Sequence, residues 1–180
     1  MQTSDELLVQ VMSHEYRLLS QAYREFQYFF LKNTIESNDE VKLHLYNAYA
    51  KIIHHLYEFL KSCVCRDASK TKSGDHEYVQ KYIIVELEKI ASHLGQSNHT
   101  IESYAEFARD LRLYRNKVYG HVNKERFEKY PLGNFYAKHH AYIVWLVRSS
   151  EYWWETEVSE LAKHKAVQEF SNLLVFNEHE

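Results

Sequence analysis

The stretch Asp39-Glu40-Val41-Lys42-Leu43-His44-Leu45-Tyr46-Asn47-Ala48-Tyr49-Ala50-Lys51-Ile52-Ile53-His54-His55-Leu56-Tyr57-Glu58-Phe59-Leu60-Lys61-Ser62-Cys63 places apolar side chains at Val41, Leu45, Ala48, Ile52, Leu56, Phe59 and Cys63. These are the three- and four-residue steps of an α-helix. Tyr46, Tyr49, Ile53, Tyr57 and Leu60 add a second apolar side. A helix apolar on two sides has to be covered on both, so this segment, capped by Asn38 or Asp39 and reaching about Asp67, reads as the central helix of an all-α bundle.

Working outward, residues of about 5–32 repeat the helical period on Leu8, Val11, Leu18, Ala22, Phe26 and Phe29. Residues of about 68–76, with Ser69, Lys70, Thr71, Lys72, Ser73 and Gly74, read as a linker. A third helix is expected over 77–94 on Ile83, Leu87, Ile90 and Leu94, stopped by Gly95. Thr100 and Ser103 are candidate caps for a fourth, whose stripe runs Ile101, Tyr104, Ala108, Leu111, Arg115 and Val118. Beyond Pro131 and Gly133, Asn134 is expected to cap a fifth helix through Phe135, His139, Ile143, Leu146, Ser150 and Trp153, continuing towards Phe176. Short connections make neighbours antiparallel. The expected fold is an up-and-down, four-helix-bundle-like domain with an additional helix over residues 1–180, including a C-terminal helical extension of about 155–180.

With 4 Gly and 1 Pro in 180 residues, the chain lacks the breakers of a turn-rich sheet protein, and 45% hydrophobic content suffices for a real core. No run approaches the ~18 apolar residues of a membrane span. Met1-Gln2-Thr3-Ser4-Asp5-Glu6 lacks the basic and apolar regions of a signal peptide, so the expectation is a cytoplasmic protein with no membrane partner. Cys63 and Cys65 fall on different faces of one helix, which suits reduced thiols and not a disulfide.

Helical bundles often carry di-iron centres, marked by a carboxylate three residues before an inward-facing His. None of the 12 His has Glu or Asp at that position. His54-His55 and His139-His140 are expected to turn their rings to different sides of their helices. His14-Glu15 is followed by Leu18, where a zinc protease needs its second His. The expectation is no metal and no cofactor.

Chemistry concentrates in Arg115-Asn116-Lys117-Val118-Tyr119-Gly120-His121. A permanent guanidinium, an amide beside it and an imidazole about two turns on are the groups that hold a phosphate and move a proton at neutral pH. Arg115 continues an apolar stripe, so it has to snorkel, pair with a carboxylate or face an interface. Gly120 is suited to end the helix and turn His121 back towards its last turn. The formal net charge is −3, but between residues 109 and 129 the bases Arg109, Arg112, Arg115, Lys117, Lys124, Arg126 and Lys129 outnumber Asp110, Glu125 and Glu128. Such a local positive field suits phosphate capture.

These residues resemble the HEPN superfamily of small all-helical domains, whose mark is Arg, four to six residues, then His, commonly with a polar residue directly after the Arg. Arg115, Asn116 and His121 fit that pattern. The run from Leu113 to Glu125 looks like the abortive-infection-type branch. Val122, Asn123 and Lys124 stand where toxins paired with nucleotidyltransferases usually carry a Tyr, which argues against that other branch. The resemblance implies a homodimeric, metal-independent endoribonuclease with a composite site across the dimer axis. It further implies a toxin or phage-defence role with a neutralising protein partner.

In that reading the ribose 2′-hydroxyl attacks its neighbouring phosphorus, a 2′,3′-cyclic phosphate forms, and the 5′-oxygen leaves. His121 transfers the proton, Arg115 grips the phosphate with its fork, and Asn116 orients substrate or imidazole. Arg112, Lys117 and Lys124 contact the RNA backbone. Two other classes stay open: a non-catalytic HEPN-like module for nucleotide or RNA binding and dimerisation, and a helical protein-interaction domain using Tyr152, Trp153 and Trp154.

Overall fold

The computed structural model describes residues 4–67, 76–96, 99–119, 126–154 and 161–173. Helix α1 spans Ser4–Ile35 and α2 spans Asp39–Asp67. Between them Asn38 caps α2, its side-chain oxygen accepting from the Val41 amide at 2.9 Å. The pairs Asp5–Arg66, Glu15–His55 and Glu25–Lys51, each at 3.0 Å, step in opposite directions along the two helices. The helices are therefore antiparallel along most of their length.

Helix α3 is His76–His93 and α4 is Ile101–Tyr114, which continues as a single π-helical turn, Arg115–Tyr119. A short α5, Arg126–Lys129, precedes α6, Leu132–Trp154, and α7 is Lys165–Leu173. All regular structure among the described residues is helical, so the fold is all-α. None of the described helices is long and apolar enough to cross a membrane.

Helix α2 is central, as its two-sided pattern requires: it packs against α1, α3, α4, α6 and the π-helical turn. Its Ile52, Ile53 and Leu56 are fully buried and join Leu19, Ile83, Leu87, Phe107, Leu111 and Ile143 in one continuous core. Contacts of Glu106 with Lys138, Asp110 with His139 and Tyr114 with Phe135 show that α4 and α6 are also antiparallel. Helix α3 ends as expected. Gly95 has φ +62°, and the amides of Gly95 and Gln96 reach back to the carbonyls of Ser92 and Ala91. Cys63 is a buried thiol, and Cys65 is also reduced.

Several boundaries differ from expectation. The buried face of α1 is Met12, Tyr16, Leu19, Ala22, Tyr23 and Phe26, with Val11 left 53% exposed. Tyr16 and Tyr23 lead that face because a tyrosine buries a large ring, a contribution that aliphatic periodicity overlooks. Ile101 is exposed at the first position of α4, and Phe107 takes its place in the core. Asn134 does not cap α6. The helix begins two residues earlier, and the Asn134 amide donates to the Pro131 carbonyl at 3.1 Å. Proline presets the backbone for that entry. The last helix does not run unbroken towards Phe176: the described chain leaves the helical conformation at Lys163 and His164, just before α7. Linker residues 68–75, and residues 155–160 and 174–180 of the C-terminal extension, lie outside the described residues, as do the side chains of Tyr152, Trp153 and Trp154.

Candidate functional site

Helix α4 delivers the site. Thr100 caps it, its side-chain oxygen accepting from the Ser103 amide at 3.3 Å, and Tyr104, Phe107, Ala108 and Leu111 bury its inner face. After Tyr114 the helix widens into the π-helical turn. This extra turn length buries Val118 against the core while Arg115 remains 24% exposed. Sequence periodicity assigned both residues to one buried stripe, and the wider turn separates their environments.

The guanidinium of Arg115 is held at three places. Its Nη2 donates to Glu58 Oε1, its Nη1 donates to Asn116 Oδ1 at 2.6 Å, and its carbon lies 5.7 Å from the centre of the Tyr57 ring. Burial pushes the Tyr57 phenol up, while the Arg112 and Arg115 cations pull it down and Glu58 pushes it up. Pairing with a carboxylate is thus how Arg115 tolerates its partly buried position. The partner, Glu58, comes from α2 and is 57 residues distant in sequence.

Around this ion pair lies a second group of polar side chains. The rings of His54 and His55 are 4.9 Å apart, and both meet the ring of Tyr119, at 4.7 and 6.2 Å. The expectation that the two rings turn to different sides of α2 is corrected here, because neighbouring positions only about 100° apart can flank one aromatic ring. Glu15 of α1 joins His55, with its Oε2 3.0 Å from Nδ1. Burial alone would raise Glu15, but the His55 hydrogen bond and the charges of His55, His14 and His54 hold its carboxyl below the ordinary value. His54 is held low by burial and by the His55 and Arg115 charges, against the pull of Glu58 and Glu15.

Of the residues chosen from sequence, Arg115 and Asn116 are in contact, Arg112 is half-buried on the last turn of α4 within reach of the Tyr57 phenol, and Lys117 is exposed. His121 and Lys124 lie outside the described residues. The basic field of the motif region is weaker than its sequence sum. Glu58 pairs with Arg115, and Arg109 lies 3.7 Å from both Glu106 and Asp110. Sequence reasoning missed Glu15, His54, His55 and Glu58. For three of them the available signal was on α2, where His54, His55 and Glu58 place polar groups three and four residues apart among Ile52, Ile53, Leu56, Tyr57, Phe59 and Leu60.

Among the described residues, the buried side-chain atoms without a hydrogen-bond partner include Arg115 Nε and His54 Nδ1, both at this cluster. Tyr46 Oη and His139 Nδ1, away from this cluster, are in the same condition. No family model matches this chain, and no curated protein or solved structure shows significant similarity to it.

Proposed function

We propose that this protein is a metal-independent endoribonuclease of the HEPN type, cleaving RNA by 2′-hydroxyl attack at a composite site across a homodimer. The observation that carries the reading is Arg115 itself. It is a partly exposed guanidinium, preoriented by Glu58 and Asn116 on a π-helical turn that stands two residues before His121 in the sequence. A clamped fork costs little further ordering when it takes a phosphate, and its charge opposes the negative charge that grows on the phosphoryl oxygens. His121 supplies or removes the proton, and Arg112, Lys117 and Lys124 extend the contact along the RNA backbone. A toxin or phage-defence role with a neutralising partner accords with this activity.

The test is cleavage of labelled RNA by wild type, Arg115→Ala and His121→Ala, with and without chelator, alongside light scattering. Expected are a dimer at tens of micromolar, chelator-resistant cleavage, and a loss of about 10²-fold or more for His121→Ala. A monomeric wild type would remove the composite site, and cleavage that stopped in chelator would remove metal independence. One observation favours a second reading, the non-catalytic binding module: Glu58 occupies an edge of the fork that a phosphate would use. RNA bound with wild-type affinity but never cut, and with affinity lost in Arg115→Ala, would establish that alternative.

A further inference from the structure

We propose that His55, oriented by Glu15, is a second catalytic residue at the Arg115 site and acts as the base that deprotonates the ribose 2′-hydroxyl. The proposal rests on the ribonuclease reading above and assigns a residue that the Arg-to-His motif does not contain.

Three observations carry it. First, the pair is built as an oriented imidazole. A carboxylate only accepts, so the 3.0 Å contact between Glu15 Oε2 and His55 Nδ1 places the ring proton on Nδ1. Nε2 is then the basic nitrogen, the tautomer a general base needs. Second, the pair lies next to the phosphate-binding cation. Glu58 holds Arg115 and sits three residues beyond His55 on α2, a spacing that puts side chains roughly 5–6 Å apart on one helix face. Tyr119, from the same π-helical turn as Arg115, closes the group from the other side with its ring against both imidazoles. Third, the group is partly exposed to solvent. The side chains of His55 and Glu15 are 13% and 21% exposed and Tyr119 is 42% exposed, so a nucleotide has a route to it and an aromatic face for its base.

The step balances. His55 Nε2 takes the 2′-hydroxyl proton as the 2′-oxygen–phosphorus bond forms. The phosphorus–5′-oxygen bond breaks, and the departing 5′-oxygen takes a proton from water. His55 then carries both ring protons, is paired with the Glu15 carboxylate, and returns its proton to solvent. The titratable groups against His55 are Glu15 from α1, His54 from α2 and Tyr119 from the π-helical turn; His14 acts on Glu15, and Arg115 and Glu58 act on His54.

The experiment compares wild type, His55→Ala and Glu15→Gln on labelled RNA, with melting followed by circular dichroism. His55→Ala is expected to lose about 10²-fold in kcat with KM within about threefold, and millimolar imidazole should restore at least about tenfold of that loss. Glu15→Gln should lower kcat by a smaller factor with KM again within about threefold, because an amide no longer selects the same tautomer. Wild-type rates in His55→Ala, or a loss that imidazole leaves untouched, would overturn the proposal.

An inactive wild type would instead sink the ribonuclease reading. The His55 assignment is then decided by its ring resonances on addition of a 2′-O-methyl RNA oligonucleotide. A shift that disappears in Arg115→Ala keeps His55 at the nucleotide, and no shift removes it.

Discussion

His139 of α6 and His55 of α2 each hold a carboxylate of a neighbouring helix, Asp110 at 2.9 Å and Glu15 at 3.0 Å, yet the two rings live in different surroundings. His139 is 2% exposed, with Phe107 at 5.5 Å and Phe135 at 4.9 Å around it, deep between α4 and α6. His55 is 13% exposed and lies against His54 and Tyr119, with the Arg115 and Glu58 charges acting on His54 beside it. The same two functional groups therefore serve different ends. In the more sealed pair, Asp110, itself 21% exposed, satisfies the His139 Nε2 that burial would otherwise leave costly, while Nδ1 stays without a hydrogen-bond partner. In the more open pair, the proposed nucleotide site would use the orientation of His55 and the charge beside it.

The largest expected effect separates the two regions by activity. Arg115→Ala should lower kcat/KM by about 10³-fold, equivalent to about 4 kcal/mol of transition-state stabilisation. Asp110→Ala should leave cleavage per folded molecule within about twofold, since its ion pairs are with His139 and Arg109 and not with the fork. Arg115→Lys keeps the charge and loses the bidentate geometry, so rescue beyond about a tenth of wild-type activity would show that charge alone suffices. Comparable losses in Arg115→Ala and Asp110→Ala would break the division.

Stability should rank the regions in reverse. Asp110→Ala strands the Nε2 of a ring that is 2% exposed, and urea unfolding should register a loss of about 1–3 kcal/mol. Glu15→Ala removes a partner from a more exposed pair and should cost about 1 kcal/mol or less. A larger loss for Glu15→Ala would make the open pair the structural one.

Acidification gives a smaller effect of defined sign. Burial lowers His139 against the pull of Asp110, and burial also lowers His140. His54 is lowered by burial, His55 and Arg115. In each case the unfolded ring binds its proton more readily, so stability is full above the ordinary value of 6.5 and is lost as pH falls through and below it. Glu15 contributes above its ordinary 4.5 and loses that contribution only below it. Melting temperature should thus fall first below about pH 6.5 and again below about pH 4.5. His139→Gln should shrink the upper step, and an unchanged step would place its origin elsewhere.

The difference between the regions also explains what the sequence made legible. The central position of α2 followed from apolar residues on two sides, and the caps at Asn38 and Thr100 followed from local hydrogen-bonding chemistry. Arg115 and Asn116 stood out because a guanidinium interrupted an apolar stripe. Glu58 and Glu15 did not, because their meaning arises only when α1 and α2 bring them beside Arg115 and His55 across 57 and 40 residues. The π-helical turn was equally hidden, since a period of 3.6 residues carries no sign of where it widens. Burial of Tyr16 and Tyr23 escaped aliphatic periodicity for a similar reason: their rings pack while their hydroxyls suit the surface.

The smallest effect bears on the carboxylate that already occupies the fork. Glu58 contacts Arg115 Nη2 and also lies 4.0 Å from Lys61, so an arriving phosphate meets a cation whose charge is shared. Glu58→Gln keeps the shape and an acceptor oxygen and removes one negative charge. Because both side chains of the pair are about a fifth to a quarter exposed, solvent screening limits the gain to about 1 kcal/mol, or roughly three- to tenfold in affinity for a 2′-O-methyl RNA oligonucleotide at low salt. The slope of log affinity against log salt should steepen by no more than about one. Asp110→Asn, which removes a charge from the sealed pair, should leave oligonucleotide affinity unchanged. Weaker binding in Glu58→Gln would mean that the carboxylate's service in aiming the guanidinium outweighs its competition with phosphate, and the fork would then depend on α2 for its geometry as fully as His55 depends on α1.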